Sequence, residues 1–218
     1  TASVQSLDPE VLENIKRKNI SSNKLLEMSE YAREKDASTR SEVILGLPGD
    51  TLERHLNTML QLVDLEMKFI LPHNLIILAG SELGSDASRN KWKYQTKFRL
   101  SHRSFGKYQF EKKEIRAAEI EEIVIGQESM NIEEYFEARA IDLTTFIFFS
   151  DGMMLELAGF LGHFGISSSQ LLKNIIERKD ELLTENLKKL YKSFDNETRN
   201  ELWDSKEELV KYVKSLNP

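Results

Sequence analysis

Asp50 and Thr51 close the run Ser-Glu-Val-Ile-Leu-Gly-Leu-Pro-Gly-Asp-Thr, residues 41–51, in which an apolar strand ends on two glycines and a proline. Gly46 and Gly49 permit positive φ and close backbone approach, and Pro48 stiffens the turn. The first amides of a following helix point out of such a turn, where an anion or a polar heterocycle can dock. The run has neither the G-x-x-x-x-G-K-[ST] of a P-loop nor the G-x-G-x-x-G of a dinucleotide fold. A tight strand-to-helix turn chosen for geometry alone is the competing reading. The other reactive residue types are scattered. His55, His73, His102 and His163 show no close metal-ligand spacing, and no G-x-S-x-G marks a nucleophilic serine. The chain has no cysteine, which excludes a disulfide, a thiolate nucleophile and any cysteine-held zinc or iron–sulfur group within these residues.

The bulk numbers fit a folded domain. At 218 residues, 40% of them apolar and 30% charged, the chain can bury a real core. No apolar run approaches the roughly 18–20 residues of a spanning helix, and no basic-then-apolar leader opens the sequence. The expected compartment is cytoplasmic. A formal charge of −6 argues against a general nucleic-acid surface, while leaving room for a local basic patch.

Three parts follow along the chain. Residues 1–83 alternate strands and helices: a strand end at "ASVQS", a helix capped by Asp8 with Pro9 at its first turn, a helix over 23–35, a strand over 42–47, a helix capped by Asp50 or Thr51, and a strand over 74–80. Glu53 is placed to close a capping box. The Val-Ile-Leu run of the middle strand predicts a parallel sheet covered on both faces. Residues 84–130 predict a small mixed β segment, with "KFRLSH" paired to "GKYQF" around Arg103–Gly106 and "EIEEIVIG" as a half-exposed strand. Residues 131–218 predict helices near 131–149, 152–164, 168–192 and 196–216, broken at Gly152, Gly165 and Asp195–Asn196.

Three stretches together, "SVQSLDPEVLENIKRKNIS", "SEVILGLPGDT" and "PHNLIILAGSEL", resemble radical S-adenosylmethionine (SAM) enzymes, in particular those carrying a cobalamin-binding domain. The resemblance implies an α/β fold: the C-terminal half of a partial (β/α)6 TIM-like barrel, then a small β segment and a C-terminal α-helical region. It is good over 1–83, loose over 84–130 and nearly absent beyond. It implies that Gln5 and Ser6 meet the SAM ribose and methionyl group and that Arg17 pairs with the SAM carboxylate. Ile44 would pack on adenine with Gly46 leaving it room, and Leu78 and Gly80 would meet the adenine edge. Asp50 stands where the family pattern often has Glu, and takes no catalytic role. Arg99, Arg103 and Tyr108 fall on the expected substrate side.

The family's [4Fe–4S] cluster needs a C-x-x-x-C-x-x-C loop, which this chain lacks. The expectation is therefore a fragment, inactive by itself, whose parent cleaves SAM at a cluster held upstream and works on an unassigned substrate. An unpaired strand edge at "TASVQS" predicts self-association. Two rivals stand beside this reading. One is a non-catalytic scaffold with a nucleotide- or phosphate-binding βα loop and a helical interaction tail bearing Leu182, Leu183, Leu187 and Leu190. The other is a different barrel that binds phosphate at "GLPGDT".

Overall fold

In the computed structural model of the chain, which describes residues 2–35, 37–102, 104, 106–150 and 153–215, Asp8 starts a helix as its chemistry predicts. Its carboxylate accepts the amides of Glu10 and Val11 at the head of α1 (Pro9–Asn14). Ser21 caps α2 (Ser22–Glu34), and β1 (Arg40–Leu45) follows. Thr51, not Asp50, caps α3 (Leu52–Asp64); its hydroxyl accepts the Arg54 amide. The third helical residue is then Arg54, so Glu53 closes no capping box. Next come β2 (Phe69–Asn74), α4 (Asp86–Trp92), β3 (Gln95–Leu100), β4 (Gly106–Phe110), β5 (Lys113–Ala117) and β6 (Ile120–Gly126). The helical part comprises α5 (Ile132–Phe149), α6 (Leu155–Gly162), α7 (Ser168–Glu177), α8 (Lys179–Leu182), α9 (Glu185–Asn200) and α10 (Lys206–Ser215).

The fold is mixed α/β, and the described strands do not close into a barrel. Residues 2–5 lie parallel to β1, with the Gln5 amide donating to Glu42 and the Ile44 amide to Gln5. β1 pairs in parallel with β2, Arg40 opposite Phe69 and Leu45 opposite Asn74. Just past β2, Leu75 and Ile77 bond antiparallel to β6, and β6 pairs with β3.

The third strand therefore sits at 69–74, ahead of the expected 74–80. Pro72 hides it from a sequence reading, because a proline argues against a central strand. Here Phe69 and Leu75 donate toward the β1 side. The period of two then turns the missing N–H of Pro72 away from β1, where no ladder bond is lost. The expected hairpin is also re-paired: β3 takes β6, and β4 takes β5 as an exposed excursion between them. Arg103 lies outside the described residues, as does the break at Gly152. β6 is buried from Ile123 onward because it has partners on both edges.

Among the helices, the expected 168–192 segment is split into α7, α8 and the start of α9, with Thr184 capping the last. Asp195–Asn196 is no break. Asp195 accepts from Arg199 one turn later, at 3.0 Å, and α9 runs through.

One face of the sheet carries the core. Val43 and Ile70 pack with Leu25, Met59, Leu62, Ile141, Phe149 and Leu172 from α2, α3, α5 and α7. Leu45 packs with Ile123, Ile125, Tyr135 and Ala138. The other face is not covered in the same way, contrary to the two-sided burial the sequence predicts. Val11 of α1 makes a small cluster there with Leu47, Leu75, Ile77 and Val124, and Ile44 rests against it. Glu42, Leu71 and His73, which share that face by alternation, belong to none of these clusters.

Candidate functional site

The turn after β1 is closed rather than open. Gly46 to Asp50 are all buried. The Gln127 side chain, arriving from just past β6, donates to the Leu47 carbonyl at 2.7 Å and accepts the Gly49 amide at 3.2 Å. Asn14 donates to the Pro48 carbonyl, Arg54 to the Gly49 carbonyl at 2.6 Å, and the Ser129 hydroxyl to the Asp50 carbonyl at 2.6 Å. Asp50 turns its own carboxylate back onto the amides of Gly46 (3.4 Å) and Thr51 (3.0 Å). The amides of Gly46, Gly49, Asp50, Thr51 and Arg54 are thus bonded inside the protein. Gly49 is required here twice over: its φ is +78°, and a Cβ would come within 2.5 Å of Asn14.

Behind the turn lies a buried charged group. His55 of α3 meets Asp142 of α5 at 2.7 Å, with both side chains out of solvent. Arg139 reaches the other Asp142 oxygen at 3.4 Å. Burial alone would lower the His55 pKa, but the charge and hydrogen bond of Asp142 outweigh it and hold it above the ordinary value. Burial likewise lifts Asp50 to about 6, against the opposing pull of His55 and of the two amides it accepts.

At the end of the first parallel segment the backbone is strained. Gln5 has φ +61°, and the Ser6 amide bonds to the Val4 carbonyl across it at 2.8 Å, the rarer form of γ-turn. Asn19 clamps this turn by donating to the carbonyls of Val4 (2.9 Å) and Ser6 (2.7 Å). Arg17 donates to the Ser3 carbonyl and, at 3.2 Å, to Asn19. The Ser6 hydroxyl is buried and accepts the Asp8 amide. So Gln5, Ser6 and Arg17 do converge on one strand end, held by Asn19. Ile44 and Gly46 lie on the neighbouring strand and its turn, and Gly46 faces Val124 and Leu75 of the protein itself.

Leu78 and Gly80 do not join them. They follow β2 in an exposed turn, and Leu78 borders a separate groove of about 590 Å³ with Arg89, Phe98, Glu121, Glu122 and Lys206. Within that groove Arg89 holds both Glu122 oxygens, at 2.6 and 2.7 Å, and keeps that carboxyl below its usual range. Arg99 is committed to Glu121 and Glu201, and Tyr108 stands out on the β4–β5 hairpin. Ser3, whose hydroxyl bonds Glu42 at 2.6 Å, shares a partly covered patch with Glu42, Leu71 and the exposed His73, and Ile44 borders it. No group of three His, Asp or Glu residues able to hold a metal occurs among the described residues.

Sequence reasoning missed Gln127, Asn19 and the His55–Asp142 pair. Each acts through a partner distant in the chain or through backbone carbonyls, which leaves no local spacing to read. Searched against family models and against curated proteins, the sequence matches neither.

Two outcomes follow from this packing. Gln127→Ala strands the Gly49 amide in a dry site, at ~1–3 kcal/mol for the unpaired group, while the Leu47 carbonyl keeps the Asp50 amide. The urea midpoint should fall accordingly with an unchanged slope. Asp50 holds its proton more tightly folded than unfolded, so its contribution to stability is complete below pH ~4 and is lost as pH rises through about 6. Wild type should therefore lose more stability than Asp50→Asn between pH 4 and 7, by up to ~3 kcal/mol. Parallel pH–stability curves for the two proteins would contradict this.

Proposed function

We propose that this chain is part of a radical SAM enzyme, contributing the second half of a partial (β/α)6 barrel wall on whose open side SAM lies. The observation that carries the reading is one-sidedness. Residues 2–5, β1 and β2 run in parallel with most helices packed on one face, while on the other, beyond the small cluster under α1, Ser3, Glu42 and Leu71 are only half-buried and His73 is exposed. An open parallel sheet buries both faces, whereas a barrel strand reserves its second face for the interior.

On this reading Gln5, Ser6 and Arg17 orient the ribose and methionyl end of SAM, and Ile44 supplies the apolar contact to adenine. Arg17 spends Nη2 and Nε on Ser3 and Asn19 and keeps Nη1 for a carboxylate, a directional, charge-assisted bond. Gly46 sets the distance between the β1 end and β6, and Leu78 and Gly80 mark the far rim. The chain's own residues do not fit the iron–sulfur cluster, since it has no cysteine. The cluster would supply the electron that breaks SAM to a 5′-deoxyadenosyl radical, and no step of that chemistry is assigned to residues here. A cobalamin-binding domain upstream is part of the same proposal. The rival, a scaffold that holds a nucleotide or phosphate at the Gly46–Asp50 turn, is disfavoured by the internal bonding of that turn's amides.

The test is the natural coding sequence. It should carry C-x-x-x-C-x-x-C within roughly 100–150 residues ahead of Thr1, the span of one domain. The longer protein, reconstituted with iron and sulfide and reduced without oxygen, should then release 5′-deoxyadenosine from SAM, and the 218-residue chain should not. A natural protein without those cysteines overturns the proposal.

A further inference from the structure

The helix α6 has a composition that normally belongs inside a protein. Leu-Glu-Leu-Ala-Gly-Phe-Leu-Gly carries one charge, and a helix apolar nearly all round is ordinarily buried. Among the described side chains around it, only Met154, Ala158 and Leu161 are half-buried. Leu157 and Phe160 lie one turn apart on α6, Met153 and Phe164 stand in the turns before and after it, and all four are exposed. Phe160 and Phe164 meet edge to face at 5.2 Å.

We infer that this patch is a self-association surface, on which α6 of a second copy packs across a two-fold axis. Area supports it. Exposures of 68, 42, 60 and 69% for Met153, Leu157, Phe160 and Phe164 amount to roughly 450–500 Å² per copy at ~200 Å² per large apolar residue. A pair would bury about 900–1,000 Å² before the exposed Ile166 is counted, close to the ~1,000 Å² expected of a specific interface. Charge narrows the occupant. No lysine or arginine occurs between Arg139 and Lys173, and Arg33, which lines a groove with Ala158 and Gly162, is paired with Glu66 at 2.6 Å. Nucleic acid and anionic lipid surfaces both call for basic flanks. An apolar patch with Met and Phe and almost no charge matches the centre of a homodimer interface instead. The strand edge at residues 2–5 is a weaker route to association, because Arg17 and Asn19 already occupy the carbonyls of Ser3, Val4 and Ser6.

Sedimentation equilibrium of the 218-residue chain is the test. The mass should rise with concentration from 25.2 kDa toward twice that value. Phe160→Glu and Leu157→Glu should each weaken pairing by at least about tenfold, since both remove an anchor from the centre of the patch. Both sites are solvent-exposed, so an unchanged thermal midpoint shows that the fold survives. Tyr108→Ser, which trims the exposed apolar face of the β4–β5 hairpin, should leave pairing intact. Four results would overturn the inference: a monomer up to ~200 µM, an affinity that withstands both glutamates, a pairing lost with Tyr108→Ser, or a monomer that floats with phosphatidylcholine vesicles. None of these bears on whether the parent enzyme uses SAM.

Discussion

The turn between β1 and α3 is closed by one amide side chain, and much of the molecule is arranged around that closure. Gln127 reads the backbone of Gly46, Leu47 and Gly49 as an adjoining strand would, bonding both carbonyls and an amide. To do so it must come from the end of β6, and β6 can stand there only because Leu75 and Ile77 offer it an edge. Asn14 of α1 and Ser129 before α5 close the remaining sides. A buried backbone group without a partner costs more than a formed bond returns, so this set has to be completed together. The buried His55–Asp142 bond then ties α3 to α5 directly behind the turn. Taking either partner away would leave the other uncompensated in a dry site, and the two helices keep one register as a result.

That closure divides the chain's chemistry in two. At the carboxyl end of β1, the usual anion receptor of an α/β protein, the amides of Gly46, Gly49, Asp50 and Thr51 are spent on the protein itself. What stays less covered is the part of the second sheet face beyond α1, where Ser3 and Glu42 are bonded to each other and His73 is exposed. The strained turn at Gln5 stands at one end of that face. Strain of this kind persists only where surrounding contacts enforce it, and Asn19 does so with two hydrogen bonds. A ligand on this face would meet side chains and a strand end, with the closed turn serving as scaffold.

Local signals were legible where a single residue carries its own mechanism. Asp8 with Pro9 marks a helix start, and Glu42 to Leu47 reads as a buried strand ending in a glycine turn. Pairing was harder to read. Pro72 and His73 made β2 look like a loop, because nothing local says that the missing N–H faces away from β1. "KFRLSH" and "GKYQF" are neighbours in sequence, but β3 is paired by a strand some twenty residues further on, whose apolar run Ile123–Ile125 suits a site between two partners. Of the site, Gln5, Ser6 and Arg17 lie together at one strand end, while Leu78 and Gly80 stand apart with the shift of the third strand. Gln127 was invisible, being one glutamine after a strand whose role depends on carbonyls about eighty positions earlier.

An amide-resolved titration of the ¹⁵N-labelled chain with S-adenosylhomocysteine, which lacks the reactive methyl group, separates the two halves of this picture. Resonances of Ser3, Gln5, Glu42, Ile44, Leu71 and His73 should move, while those of Gly46, Gly49 and Thr51 stay in place because their bonds are internal. Shifts concentrated in Gly46–Thr51 with the sheet face unmoved would contradict the account, and would return the turn after β1 to the role of ligand loop.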